Sequence, residues 1–382
     1  MSDLEVDRAQ QVFAQASRWL FSEPMAALLA AFGERMPADG SAWRDSAGDT
    51  AEWLHLNEAL PTAFDHGVDP ARLDVLHRVL LVERMAARHF NFRDDPAGKY
   101  RERSQATRGD FTTEFRERVL ALAGQLDLVE SRPPRYPRYD HTLVLGGGYR
   151  SPLLRSRFAA QVRASGVDLG QIALLGSPRF LITEDPPERP VVESYAPGAT
   201  DEFDLLIAAA QQEFGVSPTV AEFVCGCASA ERQCPRWQSG DVQGTPSAYT
   251  HERRTSLADP AGHPVASALS ASTGRPPYRP QTSDTFALWA RLNDPRPDQR
   301  LLVVTTQVFV PFQSFDAMRL LYLPYGLDID TVGLPTQWGD RPLSAEYLLQ
   351  ETLSGIRSAR RLLVDAAEAF VRADEPLLTP DR

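Results

Sequence analysis

The run Tyr139-Asp-His-Thr-Leu-Val-Leu-Gly-Gly-Gly-Tyr-Arg-Ser-Pro152 assembles residue types suited to holding a polar ligand through the main chain. His141 to Leu145 is an apolar run of strand length. Gly146, Gly147 and Gly148 put no side chains on the turn that follows, and Tyr149, Arg150 and Ser151 lead out of it. Ser151 suits an N-cap, and Pro152 suits the first helical position, where no N–H is needed. The N–H groups and positive dipole end of such a helix start attract a phosphate, a carboxylate or the polar end of a nucleotide. No Gly-Lys-Ser/Thr follows the turn, and position 151 is Ser rather than the last glycine of G-x-G-x-x-G. A nucleoside-triphosphate loop and a conventional NAD dehydrogenase are therefore not expected.

Three further polar groups follow expected strands or open helices. They are Gly176-Ser-Pro-Arg179, with Gly176, Ser177 and Arg179 as ligand-binding candidates; Gln281-Thr-Ser-Asp-Thr285, with Thr282, Asp284 and Thr285; and Thr305-Thr-Gln307, with Thr306 and Gln307. In an open parallel sheet, ligands bind at the carboxyl ends of the strands. Asp201, Glu202 and Asp204 fall in the first turn of an expected helix, where acids complement the dipole. A carboxylate at that point can also act as a general base or hold a ligand amine. Glu193, at the end of an expected strand, is a second acid of this kind. Cys225, Cys227 and Cys234, with His251 or His263, could reach four zinc ligands, but their spacing is not a standard one and no metal is expected. His55, His66, His77 and His89 read as ordinary surface or half-buried histidines. Lys99–Arg103, Arg108 and Arg132–Arg138 are basic with interleaved aromatics. They read as solvated faces, or as contacts to a phosphate-bearing partner such as tRNA.

The elements that must position these groups change character along the chain. Residues 1–131 show helical spacing throughout, with expected helices at Val6–Phe21, from Pro24, at Thr50–Leu60, Ala71–Phe90 and Phe111–Leu126. Arg132–Arg138 is a proline-rich linker. From 139 to 345, short apolar runs alternate with amphipathic helices. Strands are expected at Thr142–Leu145, Gln171–Leu175, Pro190–Glu193, Val265–Leu269, Leu301–Thr305 and Asp328–Val332. Helices are expected at Pro152–Ala164, Asp201–Phe214, Ser283–Leu292 and Ser314–Leu323. The alternation implies an α/β fold with a Rossmann-like, mostly parallel sheet and helices on both faces. Residues 222–264 break the rhythm and read as an insertion or lid. Residues 346–373 form an amphipathic C-terminal helix. The chain has 382 residues, 43% of them hydrophobic, and a net charge of −11. These values fit a soluble globular protein of two or three units and disfavour nonspecific nucleic-acid binding by the whole surface. No signal pattern or membrane-spanning run is visible, so a cytoplasmic protein without a membrane partner is expected. Lys99 is the only lysine against 39 arginines, a bias we attribute to base composition.

Leu143-Val-Leu-Gly-Gly-Gly, Leu174-Leu-Gly-Ser177, Thr282-Ser-Asp-Thr285 and Val303-Val-Thr-Thr-Gln-Val-Phe309 resemble, in order and spacing, the SanA/YdcF-like (ElyC/SanA/YdcF) proteins. Tyr325-Gly-Leu-Asp-Ile-Asp-Thr-Val332 is similar to that family's ending. The resemblance covers roughly residues 139–335 without 222–264. It implies a Rossmann-like fold with a small-ligand site at the strand ends, and S-adenosylmethionine as a candidate ligand. It also implies that Glu202 faces the ligand, because the family carries an acid close to this point. Val310 and Gln313 stand where the family usually carries a His and an Arg. Three functions follow. The first is group transfer in small-molecule biosynthesis with a nucleotide-type or phosphate-bearing ligand, Glu202 and Asp284 acting as catalytic groups. The second is aminoacyl-tRNA-dependent peptide-bond formation, as in cyclodipeptide synthases. The third is non-catalytic ligand sensing.

Overall fold

The computed structural model describes residues 3–46, 69–92, 109–179, 181, 189–224, 249–275, 278–335 and 343–374. In chain order, α1 spans Asp3–Leu20, α2 Glu23–Ala30, α3 Ser41–Ser46, α4 Pro70–Phe90 and α5 Thr113–Gln125. Then come β1 His141–Leu145, α6 Ser151–Ala164, β2 Gln171–Gly176, α7 Arg189–Tyr195, α8 Glu202–Phe214, β3 Ser217–Val224, β4 Glu252–Ala258 and β5 Pro264–Ser270. The chain continues through α9 Thr282–Asn293, β6 Arg300–Thr306, α10 Val310–Ala317, β7 Asp328–Leu334 and α11 Ala345–Asp374. The helix expected at Thr50–Leu60 lies outside the described residues.

Two compact units result. The helical unit is discontinuous: it takes Met1–Glu130, Gln307–Pro324 and Gly339–Arg382. Residues 307–324 and the C-terminal helix therefore belong with the N-terminal helices, and the α/β region is not one continuous stretch to 345. The reason lies in α11, whose Leu349, Leu353, Ile356, Leu362, Leu363 and Phe370 share one apolar core with α1, α4 and α10. Gly355 lets α1 approach: a Cβ there would stand 2.9 Å from the Trp19 ring. Local signals set the helix starts. Asp69 accepts N–H bonds from Ala71 and Arg72 at the head of α4, and Pro311 occupies the first turn of α10. The helix expected at Ser314–Leu323 begins earlier, at Val310, and passes through a π turn at Met318–Tyr322. No described helix is long and apolar enough to cross a membrane.

The second unit comprises Ser131–Thr306 and Tyr325–Trp338. Its seven strands lie in the order β3-β4-β5-β2-β1-β6-β7. Strands β5, β2, β1, β6 and β7 are parallel, while β4 runs antiparallel to β5 and β3 antiparallel to β4. This is an α/β fold with a mostly parallel, Rossmann-like sheet. Val144, Ile172, Leu174, Leu302, Val304 and Val332 bury one face against Ala159 and Val162 of α6 and Phe203, Leu206 and Ala210 of α8. On the other face, Trp289 of α9 meets the His141 ring edge-on, with centroids 5.2 Å apart.

Two sequence expectations change here. Pro190–Glu193 is helical, not a strand: it lies in α7, where Val192 and Ala196, one turn apart, pack on Leu205. The stretch 222–264 is not wholly an insertion, because its two ends build sheet: the end of β3 at one side, β4 and the start of β5 at the other. Polar residues such as Arg253, Arg254, Thr255 and Ser256 hide the strand pattern of β4 from the sequence. Cys225, Cys227 and Cys234 lie outside the described residues.

The proline-rich segment 132–138 is tied to β7 rather than acting as a free linker. The buried Asp330 carboxylate accepts the Arg132 guanidinium at 2.7 Å, the Arg135 N–H at 2.8 Å and the Tyr139 hydroxyl. Burial alone would raise this carboxyl, but the Arg135 N–H, the Tyr139 hydroxyl and Arg132 hold it below its ordinary value. The stabilisation is present above the ordinary carboxylate range and is lost as pH falls through the lowered folded value. Asp330→Asn should cost about 3 kcal/mol at pH 7, the scale of breaking a buried ion pair. Urea unfolding at several pH values should show the gap between wild type and variant beginning to narrow near the ordinary carboxylate range, about pH 4, and closing only as the native carboxyl protonates at its lowered value.

Candidate functional site

From β1 the chain passes to β2 on one side and returns later to β6 on the other, so the strand order reverses between β1 and β6. Ligand crevices of open α/β sheets form at the carboxyl ends of strands beside such a reversal. On the face covered by α6 and α8, the last apolar level there is Ala268, Leu174, Val144, Val304 and Val332. Two residues further along each strand, on that same face, come Ser270, Gly176, Gly146, Thr306 and Leu334. Large side chains give way to two glycines at the centre of the sheet.

Two buried charged side chains occupy the space those glycines leave. Glu202 opens α8, 6% exposed, and its N–H donates to the Arg179 carbonyl at 2.9 Å. Its Oε2 accepts the Ser177 hydroxyl at 2.7 Å and the Ser177 N–H at 3.2 Å. Its Oε1 lies where a side chain on Gly146 would begin, and a Cβ on Gly176 would come within 3.3 Å of the Glu202 carboxyl carbon and 2.6 Å of Leu206. Burial raises the Glu202 carboxyl above its ordinary value, opposed by Arg179, the Ser177 hydroxyl and the N–H groups of Ser177 and Gly147. A buried acid with a raised pKa at the carboxyl ends of a parallel sheet is a candidate proton-handling group.

On the other side of Gly146, Arg155 of α6 is 3% exposed. Its Nη1 donates to the Leu145 carbonyl at 2.9 Å and to the Gly146 carbonyl, and its Nε donates to Thr306 Oγ1 at 3.2 Å. Arg155 was not among the candidates from sequence. The signal available was its spacing, four residues after Ser151, which places it on the helix face that looks over the glycine turn.

Asp201 adds a second buried acid. It caps α8 in a reciprocal box with Asp204 and pairs with Arg253 of β4, whose guanidinium lies 4.4 Å from the Phe203 ring centroid. Burial pushes the Asp201 carboxyl up to about 7 against the pull of Arg253.

The other predicted residues fall as follows. Gly146 donates its N–H to the Leu175 carbonyl at 2.6 Å. Gly147 has φ +153°, a conformation that favours glycine. The cap of α6 is Arg150, with helical dihedrals and no side-chain cap bond, so Ser151 is the first helical residue and not the N-cap. It donates its N–H to Gly148 O at 2.9 Å. The Tyr149 carbonyl accepts the Tyr195 hydroxyl at 2.5 Å, which seats α7 on the turn. Thr282, Asp284 and Thr285 open α9 beyond β5, two strands away from β1. There the Asp284 carboxylate takes the N–H groups of Gln281 at 2.7 Å and Gly274 at 3.2 Å, and the Thr285 hydroxyl donates to the Thr282 carbonyl at 2.9 Å. Thr306 joins the cluster through Arg155. Gln307 belongs to the helical unit, where its amide donates to the Asp127 carbonyl at 2.8 Å. The arrangement thus unites Gly146, Gly147, Gly176, Ser177, Arg179, Glu202 and Thr306, and gives Asp284 a helix-capping place. Glu193 lies exposed on α7. Among the described residues no three His, Cys, Asp or Glu side chains converge as metal ligands would.

Gly146 and Gly148, the outer glycines of the turn, are unequal. Gly146→Ala forces a Cβ onto the Glu202 carboxylate and within 2.8 Å of the Leu175 carbonyl, while a Cβ on Gly148 meets nothing within 4 Å. Gly146→Ala should destabilise by about 2 kcal/mol, the middle of the overpacking range. Gly148→Ala should stay within about 0.5 kcal/mol, as surface changes do. Chemical denaturation of both variants checks this, and equal effects would contradict the placement of Glu202.

No protein-family model and no solved structure matches the chain significantly. Curated proteins that do match include the uncharacterized proteins Rv3785 and MT3893 of Mycobacterium tuberculosis and Mb3814 of Mycobacterium bovis. Each is 34% identical over 268 residues, covering 68% of this chain and 70% of the relative. That extent of identity establishes the relationship: the chain belongs to the family of these mycobacterial proteins.

Proposed function

We propose that this chain is a group-transferring enzyme of small-molecule biosynthesis that binds a nucleotide-type ligand at the carboxyl ends of β1, β2 and β6, with Glu202 as its proton-handling and ligand-orienting group. One observation carries the reading: a carboxylate with 6% exposure stands over the carboxyl ends of β1 and β2, next to the strand reversal, held by Ser177 and flanked by two glycines that leave room for it. Its raised pKa brings it closer to neutral pH, where a general acid or base works best.

The same carboxylate bears on the ligand's chemistry. The Ser177 N–H and hydroxyl and the Gly147 N–H already face Glu202. A phosphate at this turn would meet a negative charge, whereas a ribose hydroxyl, an amine or a sulfonium centre would be attracted. Of the ligands that the SanA/YdcF-like resemblance and the glycine turn suggest, S-adenosylmethionine fits this acceptor better than a ligand presenting phosphate to it. When bound, it supplies a transferable alkyl group. The chain's own part is to accept a ligand hydrogen bond at a Glu202 oxygen, to take up or return a proton there, and to keep water out by burial. The Asp284 carboxylate, engaged in its cap, has no part in this reading. A tRNA-dependent reaction draws less support from the described part of the basic stretch, because Arg132 and Arg135 pair with Asp330, and Arg138 with Asp168; Lys99–Arg103 and Arg108 lie outside the described residues.

Thermal unfolding with added S-adenosylmethionine, S-adenosylhomocysteine or ATP tests the proposal. The S-adenosyl ligands should raise the melting temperature with saturation, and ATP should not. Glu202→Gln should weaken binding or turnover by about 100-fold, the scale of one acid–base group. Stabilisation by ATP alone, or a fully active Glu202→Gln variant, would overturn it. Saturable binding with no turnover of any acceptor would move the chain to ligand sensing.

A further inference from the structure

We propose that Arg155 is the positioning residue of this site: by gripping the Gly146 carbonyl it turns the Gly147 N–H toward Glu202 and thereby sets the carboxylate. The inference rests on the reading of Glu202 as the working group, and concerns what aims it.

A single peptide plane carries the argument. The Gly146 C=O and the Gly147 N–H belong to one planar trans unit and point in opposite directions. Arg155 Nη1 donates to that oxygen, and Nε donates to Thr306 Oγ1 at 3.2 Å, so the guanidinium ties the end of β1 to the end of β6. With the oxygen held, the N–H is directed to the opposite side, where it favours the charged form of Glu202. Glycine is required at both ends of the plane. Gly146 leaves room for Oε1, and Gly147 has φ +153°, with any Cβ there 3.0 Å from Ser151 Cβ and 3.4 Å from Arg155 Nη1. Arginine suits the task because its planar fork holds several acceptors in fixed directions, whereas lysine presents a point charge.

Other groups also act on Glu202 and stay in place when Arg155 changes. Ser177 and Arg179 come from the turn after β2, and Asp201 and Asp204 from its own helix start, with Arg253 of β4 paired to Asp201. Arg155 also carries a charge of its own, so Arg155→Lys, which keeps the charge but not the fork, separates the part played by the peptide from that of the charge.

The test is an NMR titration of the full chain with carboxyl-labelled glutamate and ¹⁵N-glycine, Glu202 being assigned by its loss in Glu202→Gln. In wild type the Gly147 amide should move with the same midpoint as Glu202. In Arg155→Gln the Glu202 midpoint should rise by about one pH unit, and the Gly147 amide should stop following it, as expected for losing one hydrogen bond to the charged form. Arg155→Lys should fall between the two. An unchanged midpoint with Gly147 still coupled in Arg155→Gln would overturn the proposal. If that variant does not fold, Thr306→Val removes one grip of the guanidinium and should give a smaller shift in the same direction, no shift being the overturning result. The titration needs no ligand, so it stands apart from the ligand-binding tests of Glu202, which can fail without it.

Discussion

The organising constraint of the α/β unit is the room left at the ends of its central strands. Every level of the sheet below carries branched side chains, and the level above it carries Gly146 and Gly176. Into that room two opposite charges descend, Glu202 from the start of α8 and Arg155 from the second turn of α6. Neither is stable in a buried place without polar partners. Each finds main-chain partners that exist because the glycines bring the backbone close: carbonyls of Leu145 and Gly146 for the cation, N–H groups of Gly147 and Ser177 for the anion. The positive φ of Gly147, the helix starts and the Ser177 hydroxyl all serve this geometry.

That arrangement changes what the glycine turn offers. A bare glycine turn before a helix is an anion seat. Here the chain supplies its own anion, and the turn becomes the mounting of a carboxylate. The ligand preference we propose follows from this: hydrogen-bond donors and positive charge rather than phosphate. Asp201 beside it, buried and paired with Arg253, anchors the start of α8 and so fixes where Glu202 begins.

Much of this was legible in the sequence, and the failures share a cause. The strand-glycine-helix order, the acids at 201–204 and the strand-end polar groups all depend on local spacing, and they led to the right sheet ends. Glu202 was legible as an acid in a first turn, though its facing rested on resemblance. Arg155 was not, because its reason for being there is a carbonyl nine residues away and a hydroxyl 151 residues away. One arginine among many carries no mark of that. Pro190-Val-Val192 resembles a strand until Tyr195 reaches the Tyr149 carbonyl and Val192 packs on Leu205. Strand β4 was hidden because Arg253, Arg254, Thr255 and Ser256 interrupt any apolar run, although the strand is paired on both sides, to β3 and to β5. The division of the chain was hidden for a similar reason: α10 and α11 follow strands in sequence, but their apolar faces match α1 and α4.

A crystal structure of the full chain grown with S-adenosylhomocysteine tests the central claim most directly. The account predicts the nucleoside at the carboxyl ends of β1, β2 and β6, with a ribose hydroxyl or the ligand amine within hydrogen-bond distance of a Glu202 oxygen and the Gly146–Gly147 peptide unmoved. A ligand seated away from Glu202, or one whose carboxylate displaces the Glu202 side chain from the glycine turn, would contradict it.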